Sequence, residues 1–501
     1  MANRVLVVGW DGADWDILDP LLAGGELPAL QALVERGRCG VSRSCLPSHS
    51  WAAWPTFLTG RDPAGHGVFD ILEYRPGATR RLPVSSRSIL APTWPERLSE
   101  AGKTTLLVNV PLTYPPPAIR GVAIAGGVVP PGATYSSPAD AGPRLGWPIN
   151  GGSWTTFRGR PLDLVADLEE LTRKRAAAVR TLLDEQPWDA ACVVFVSPDR
   201  AQHCLLEYVH AGHPAHFEAA SSPVAERVRD LYRLLDRELA SLLERTDEDD
   251  LVILMSDHGH QPVTRALSMN KVLERLSLLE FGRGSALVNL LAWGRVRSVA
   301  RVVYDRLRLH GRVAVPTSPI DWAKTTAYTS VVSTGEGVSL NLVGREPNGI
   351  VARADYERVR DELAAALLEF TDPDTGRRPI GGVLRKEEAL SGPYLDRAPD
   401  LLLQPAPLYS LTHARSLVEE ANWLSGDHRP EGVYALAGPD VAPGEGPEVS
   451  LADFAGQIAE AVGLEPDPEW SRAPAGEAVG VFSEEEERLV EERLRGLGYL
   501  E

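Results

Sequence analysis

Three aspartates in this chain close short apolar runs, and two of them have a histidine next to them or one turn away. "VLVVGW" leads into Asp11, "CVVFVSP" into Asp199, and "LVILMS" into Asp257-His258. Asp199 and His203, in "DRAQH", are spaced i, i+4, which on a helix puts them on one face. A single aspartate at a strand end commonly does no more than cap the next helix. Three, two of them with imidazoles, point to a shared cation site. Mixed carboxylate and imidazole donors suit Zn²⁺ or Mn²⁺ better than Mg²⁺ or Ca²⁺, which prefer oxygen-only shells. His428, in the glycine-bounded "SGDHRPEG", is a loop histidine when taken alone. His49, His66, His210, His213, His260, His310 and His413 read as surface or hydrogen-bonding residues, His66 in "DPAGHG" as part of a turn.

The elements that would hold these residues are legible as short apolar, β-branched runs alternating with helical patterns. That rhythm marks an α/β fold: a doubly wound, mostly parallel sheet sandwiched by helices. Strands are expected at 4–9, 104–110, 121–126, 190–196, 250–255, 400–404 and 432–438, with helices over 162–184 and 224–245. In such a sheet function collects at the carboxyl ends of the strands, which is where the three aspartates fall. Residues 127–160, rich in Gly, Pro, Ser and Trp, are too long for an ordinary connection and read as a lid-like loop. Residues 262–398 carry their own mixture of strands and helices. The division expected is a core of 1–261 and 399–501 with 262–398 inserted as a cap subdomain. The closing "FSEEEERLVEERLRGLGYLE" begins with a capping box, Ser483 and Glu486, and aligns Val490, Leu494 and Leu497 on one helix face.

One stretch poses a question of register. "CLPSHSWAAWPTFLTG", residues 45–60, opens like the C-x-P-S-R signature with which sulfatases mature a catalytic cysteine, but His49 stands where the arginine belongs. Ser50 is another candidate in the stretch. It precedes a segment with helical spacing, so it would sit at a helix N-terminus, where anionic oxygens bind. An N-cap serine with no chemistry fits the same position.

The ordered set "WDG", "S-x9-G-R-D-P-x-x-H-G-V-F-D", "PDRAQH", "SDHG" and "GDHRPEG" resembles the alkaline phosphatase superfamily. Within it the match is to the type I phosphodiesterase and nucleotide pyrophosphatase branch, and it spans Asp11 to Gly432. The resemblance implies a nucleophile ten residues before the glycine of a helix-closing T-G pair. Here that pair is Thr59-Gly60, and counting back lands on Ser50; Cys45 is five residues too early and Trp54 takes the place of the sulfatase arginine. It further implies two divalent ions, zinc or alternatively manganese. Asp11, Asp257 and His258 would hold one, with Ser50 completing its shell; Asp199, His203 and His428 would hold the other. The implied reaction is in-line attack of Ser50 on phosphorus, followed by hydrolysis of a phosphoseryl intermediate. The branch's diesterases usually carry threonine as nucleophile and the phosphomonoesterases serine, so both ester classes stay open. Asn270 in "SMNKVL" is a candidate phosphoryl contact or a helix-start residue; Trp147 and Trp154 could stack on a base or anchor a loop.

The whole chain bounds this reading. It has 501 residues, 44% hydrophobic and 24% charged, with a formal net charge of −18. That charge argues against coating nucleic acid and against anchorage to an anionic membrane, yet allows an anionic substrate at a local cluster of cations. Four cysteines without C-x-x-C spacing suggest a reducing compartment. The amino terminus enters a strand at once, and no apolar run approaches the ~20 residues of a membrane span, so a cytoplasmic protein is expected. The expected partner is a small-molecule phosphate ester, nucleotides included. The rivals are a phosphomonoesterase, a phosphoryl or sulfuryl transferase or mutase, and a metal-binding protein without turnover.

Overall fold

The computed structural model describes residues 2–73, 81–149, 157, 159–282, 320–414, 416–421, 424–465 and 481–496. Its spine is a ten-stranded sheet. Five central strands run parallel in the order Leu251–Met255, Val5–Trp10, Ala190–Phe195, Thr105–Val108 and Gly121–Ile124. Val5–Trp10 and Ala190–Phe195 are buried along their whole length, which is why both read as continuous apolar runs. Antiparallel strands flank them: Glu431–Ala437 pairs with Leu251–Met255 and with Arg38–Arg43 on one side, and Ser136–Ser137 pairs with Gly121–Ile124 on the other. The expected α/β sheet is therefore present, mostly parallel at its centre.

Helices cover both faces. Pro161–Glu185 and Pro223–Leu243 pack on one, burying Leu168, Val179, Leu231 and Leu235 with the outward residues of the strands. Ser50–Thr59, Trp94–Glu100 and Asp453–Ala461 cover the other, around Trp54, Phe57, Trp94 and Phe454. Among the described residues no single helix is long and apolar enough to cross a membrane.

A second apolar cluster is built by later parts of the chain. Ala327–Thr329, Gly337–Leu340, Leu401–Pro405 and Ile380–Arg385 form an antiparallel sheet in that order, with helix Tyr356–Glu369 against it. The run at 401–405 thus joins this smaller sheet and not the large one. Gly259–Ser268 is a long strand that pairs with Leu408–Thr412, Val418–Glu420 and Gly426–Arg429, and so carries the chain from the site into the smaller cluster. Part of 127–160 is fixed against the core, with Ala141 and Trp147 buried there. At the C-terminal end the capping box forms as expected: Ser483 Oγ donates to Glu486 Oε2 at 2.9 Å, and Val490 and Leu494 are buried. Leu497 lies outside the described residues.

Candidate active site

Because strands 251–255, 5–10 and 190–195 are parallel neighbours, their carboxyl ends open on one edge of the sheet. Asp257, Asp11 and Asp199 leave that edge within a few residues of each strand and are all buried. The turns are tied together by main-chain bonds, Asp199 N–H to Asp11 O at 2.9 Å and Asp11 N–H to Phe195 O at 3.0 Å. Gly12 follows with φ +69°, a left-handed turn that points its N–H at Asp257 Oδ1, 3.2 Å away.

Ser50 is the first residue of helix Ser50–Thr59, which Gly60 closes in the left-handed region (φ +67°). The Thr59-Gly60 pair is thus the helix end that the register count assumed. Ser50 Oγ lies 3.2 Å from Asp11 Oδ1 and 3.1 Å from His258 Nε2, so the nucleophile candidate faces two of the predicted ligands. The helix also fixes the carboxylate: Trp54 Nε1 donates to Asp11 Oδ2 at 3.0 Å. Sequence reasoning missed that role for Trp54. The i, i+4 spacing from Ser50 puts the two on one helix face, but the bond depends on which way the indole turns.

On the far side of Asp199 the imidazoles gather. His203 comes from helix Ser197–Leu205, His428 from strand Gly426–Arg429, and their Nε2 atoms are 3.0 Å apart. Asp199 Oδ1 is 3.2 Å from His203 Nε2 and 3.6 Å from His428 Nε2. His260, read from sequence as a hydrogen-bonding histidine, joins them with Nε2 at 3.5 Å from the same oxygen. Asp11, Asp199 and His258 form a second group whose donor atoms all lie within 4.8 Å of one another. Asp257 stands beside it, Oδ2 at 3.3 Å from His258 Nε2. All six residues expected to bind metal are therefore in one buried cluster, with Asp199 between its two halves.

The donor chemistry fits cations. His203 Nδ1 faces Gly426 O at 3.0 Å and His258 Nδ1 faces Gly259 O at 3.2 Å. A carbonyl can only accept, so each ring carries its proton on Nδ1 and turns the Nε2 lone pair inward, the arrangement of metal-bound histidines. Asp199 Oδ1 and Asp257 Oδ2 are buried without a hydrogen-bond partner. Two buried carboxylate oxygens without a hydrogen-bond partner, beside imidazole nitrogens, are costly in a dry site and would be satisfied together by divalent ions. Without ions the three carboxylates meet different fates. Burial, and then the charge of Asp199, pushes Asp257 up to about 8. Burial, with Asp257 and Asp199 nearby, raises Asp11. Burial also works against ionised Asp199, but His203 and the other imidazoles prevail and hold it below the ordinary carboxylate range.

The remaining candidates sit elsewhere. Trp147 is buried in the helical layer with the Arg175 guanidinium 5.3 Å from its ring centre, a packing position. Asn270 accepts from the Thr329 hydroxyl at 2.8 Å and so ties its helix to strand Ala327–Thr329. Trp154 and His310 lie outside the described residues. Cys45 is half-buried, and its thiol points at Pro47 O, 3.6 Å away. His66 accepts the Val68 N–H at 3.2 Å, the turn role expected of it.

The model of the type I phosphodiesterase / nucleotide pyrophosphatase family matches residues 5–431. The chain belongs to that family. Its members sit within the alkaline phosphatase superfamily, and the chain is accordingly a phosphoesterase of the phosphodiesterase and pyrophosphatase type. Solved structures share the fold. Phosphonoacetate hydrolase from Sinorhizobium meliloti 1021, in complex with phosphonoformate, superposes with a TM-score of 0.57 at 17% identity, over 92% of this chain and 96% of its own. An inactive variant of murine ectonucleotide pyrophosphatase/phosphodiesterase 5, in complex with AMP, gives 0.53 at 14% identity, over 93% and 96%. No curated protein matches the sequence significantly.

Proposed function

We propose that this family member is a two-metal phosphodiesterase or nucleotide pyrophosphatase that works through a phosphoseryl intermediate on Ser50. The observation that carries the reading is the position of Ser50 Oγ, 3.1–3.2 Å from His258 Nε2 and Asp11 Oδ1 at the rim of the Asp/His cluster. Asp11, Asp257 and His258 would hold one ion, and Asp199, His203 and His428 the other, zinc being favoured over manganese by the share of imidazole. Two such ions supply positive charge for the phosphoryl oxygens and acidify bound hydroxyl groups.

The chain's own residues do the rest. Helix Ser50–Thr59 presents its positive end to the phosphoryl group and aims the serine oxygen at phosphorus. Trp54 keeps Asp11 turned toward that oxygen. Attack forms the Ser50 O–P bond as the bond to the leaving alcohol or phosphate breaks. Water then cleaves the phosphoseryl ester and regenerates the hydroxyl. Three buried carboxylates would repel an anionic substrate without the ions, so metal dependence belongs to the same proposal. The inserted residues 262–398 would cap the site and grip the second substituent of a diester, and we place the protein in the cytoplasm.

A hydrolysis panel tests this: aryl phosphate monoesters, diesters, phosphonates and sulfates, then dinucleotides and sugar nucleotides, with Zn²⁺ or Mn²⁺. Diesters and pyrophosphate linkages are expected to give the higher kcat/KM. A consistent preference for monoesters would replace the diesterase reading with that of a phosphomonoesterase, the class in which serine is the usual nucleophile.

A further inference from the structure

His260 has no part in the two ligand sets above, and its surroundings are not those of a spectator. It lies two residues after His258 in extended chain, so both side chains point to one face. It is also the cross-strand partner of His428 in the antiparallel pair of Gly259–Ser268 with Gly426–Arg429. Strand geometry thus places it beside two residues already assigned to the cations. Its ring meets that of His203 edge-on with centroids 4.7 Å apart.

The proton on this imidazole is fixed by its neighbours. His260 Nδ1 lies 3.3 Å from Gly12 O, which also accepts from Gln202 Nε2 at 2.7 Å. That carbonyl cannot donate, so Nδ1 carries the hydrogen and Nε2 presents a lone pair. Nε2 is buried without a hydrogen-bond partner, and so is Asp199 Oδ1, 3.5 Å away. Gly12 makes the approach feasible, since a Cβ there would come 2.7 Å from His260 Cε1.

We propose that His260 Nε2 is a fourth protein donor to the second cation, completing a shell with Asp199, His203 and His428; the inference rests on the two-ion reading. A tetrahedral ion with bonds of about 2.0–2.1 Å needs donors about 3.3–3.4 Å apart. The distances at hand are 3.0 Å between His203 and His428, and 3.2, 3.6 and 3.5 Å from Asp199 Oδ1 to His203, His428 and His260. All four donor atoms lie within 4.8 Å of one another. A shell of three imidazoles and one carboxylate is closed at rest, so this ion is held more tightly than its neighbour.

The test is metal retention by the full-length zinc protein dialysed against increasing EDTA, read by elemental analysis. Wild type should hold two equivalents. His260→Ala should lose the second at a chelator concentration at least about tenfold lower, while keeping the ion at Asp11, Asp257 and His258 like wild type. Retention of both ions at wild-type chelator concentrations would overturn the inference. Zinc-edge anomalous scattering from wild-type crystals decides the matter even if the variant does not fold. His260 Nε2 about 2.1 Å from the second ion supports the assignment, and a separation beyond about 3 Å refutes it. Wild-type protein that holds no zinc would instead remove the two-ion reading itself, and the inference with it.

Discussion

The hydroxyl of Ser50 and the thiol of Cys45 stand five positions apart and meet opposite environments. Ser50 heads a helix and touches Asp11 and His258. Desolvation pushes the Cys45 thiol up to about 12, so at neutral pH it is a protonated, unreactive group. Ser50→Ala should therefore keep its fold and metal while kcat falls by about three orders of magnitude or more, and Cys45→Ser should stay within a few-fold of wild type. Mass spectrometry of acid-quenched enzyme should find phosphate on the Ser50 peptide; a Cys45→Ser variant as inactive as Ser50→Ala would reverse the assignment. Ser50 stands out in the sequence through the family resemblance, whose offset is counted from a Thr-Gly pair that here closes the helix in the left-handed region. The three aspartates stand out because parallel strands end on a common edge, and their grouping with His203, His258 and His428 follows from the family resemblance. Trp54 and His260 do not stand out. A tryptophan within an apolar helix looks like core, which Trp54 also is, and the bond to Asp11 depends on which way its indole faces. His260 acquires its neighbours only through pairing with Gly426–Arg429, a register that no local pattern encodes.

Among the elements, those buried on both faces were legible and those exposed on one were not. The strands at 5–10, 190–195 and 251–255 announce themselves by unbroken apolar residues. Arg38–Arg43, "RCGVSR", is half-buried and lacks both an apolar run and alternation, yet it pairs with Glu431–Ala437 over six residues. Gly259–Ser268 contains Pro262 and mixed polarity, and its three partners lie more than 140 positions further along the chain. Where the smaller sheet meets helix Ser50–Thr59, Glu336 is buried beside the Ser48 loop. Burial, and then the charge of Asp427, pushes its carboxyl up from 4.5 to about 8, with the Ser48 N–H acting in the opposite direction. A carboxyl with a raised folded pKa favours the fold while protonated, so its contribution is complete below about 4.5 and is lost as pH rises to about 8. The loss is on the order of 3–5 kcal/mol by the shift alone, and roughly 3–5 °C in Tm for a chain of this length. Glu336→Gln keeps the shape and removes the charge. Its melting temperature should match wild type near pH 4.5 and exceed it by a few degrees at pH 8.5. Parallel pH profiles for the two proteins would show that Glu336 is not buried in this way.

At the scale of the molecule the site concentrates negative charge that bound cations would relieve. Asp11, Asp199 and Asp257 converge at the centre of the sheet edge, in a protein whose net charge is already −18. Among the described residues their ion-pair partners are imidazoles, whose inward nitrogens at His203 and His258 carry lone pairs when Nδ1 holds the proton. The helices and strands that supply these residues come from distant parts of the chain, from Asp11 to His428, so the cluster exists only in the folded protein. Ions that bind the native cluster and not the unfolded chain must then raise global stability by mass action. At free metal a thousand times Kd, each site adds about 4 kcal/mol. With an unfolding entropy of about 1 kcal/mol per degree for a chain of this length, that is roughly 4 °C per ion. Stripping both with chelator should thus lower Tm by close to ~8 °C, and Zn²⁺ or Mn²⁺ should restore it. Ca²⁺ and Mg²⁺ should restore much less, because imidazole suits neither ion. Thermal melts with each ion in turn measure this directly. If Tm ignores both chelator and zinc, the carboxylates are accommodated by protonation and hydrogen bonding alone, and no metal belongs at this edge of the sheet.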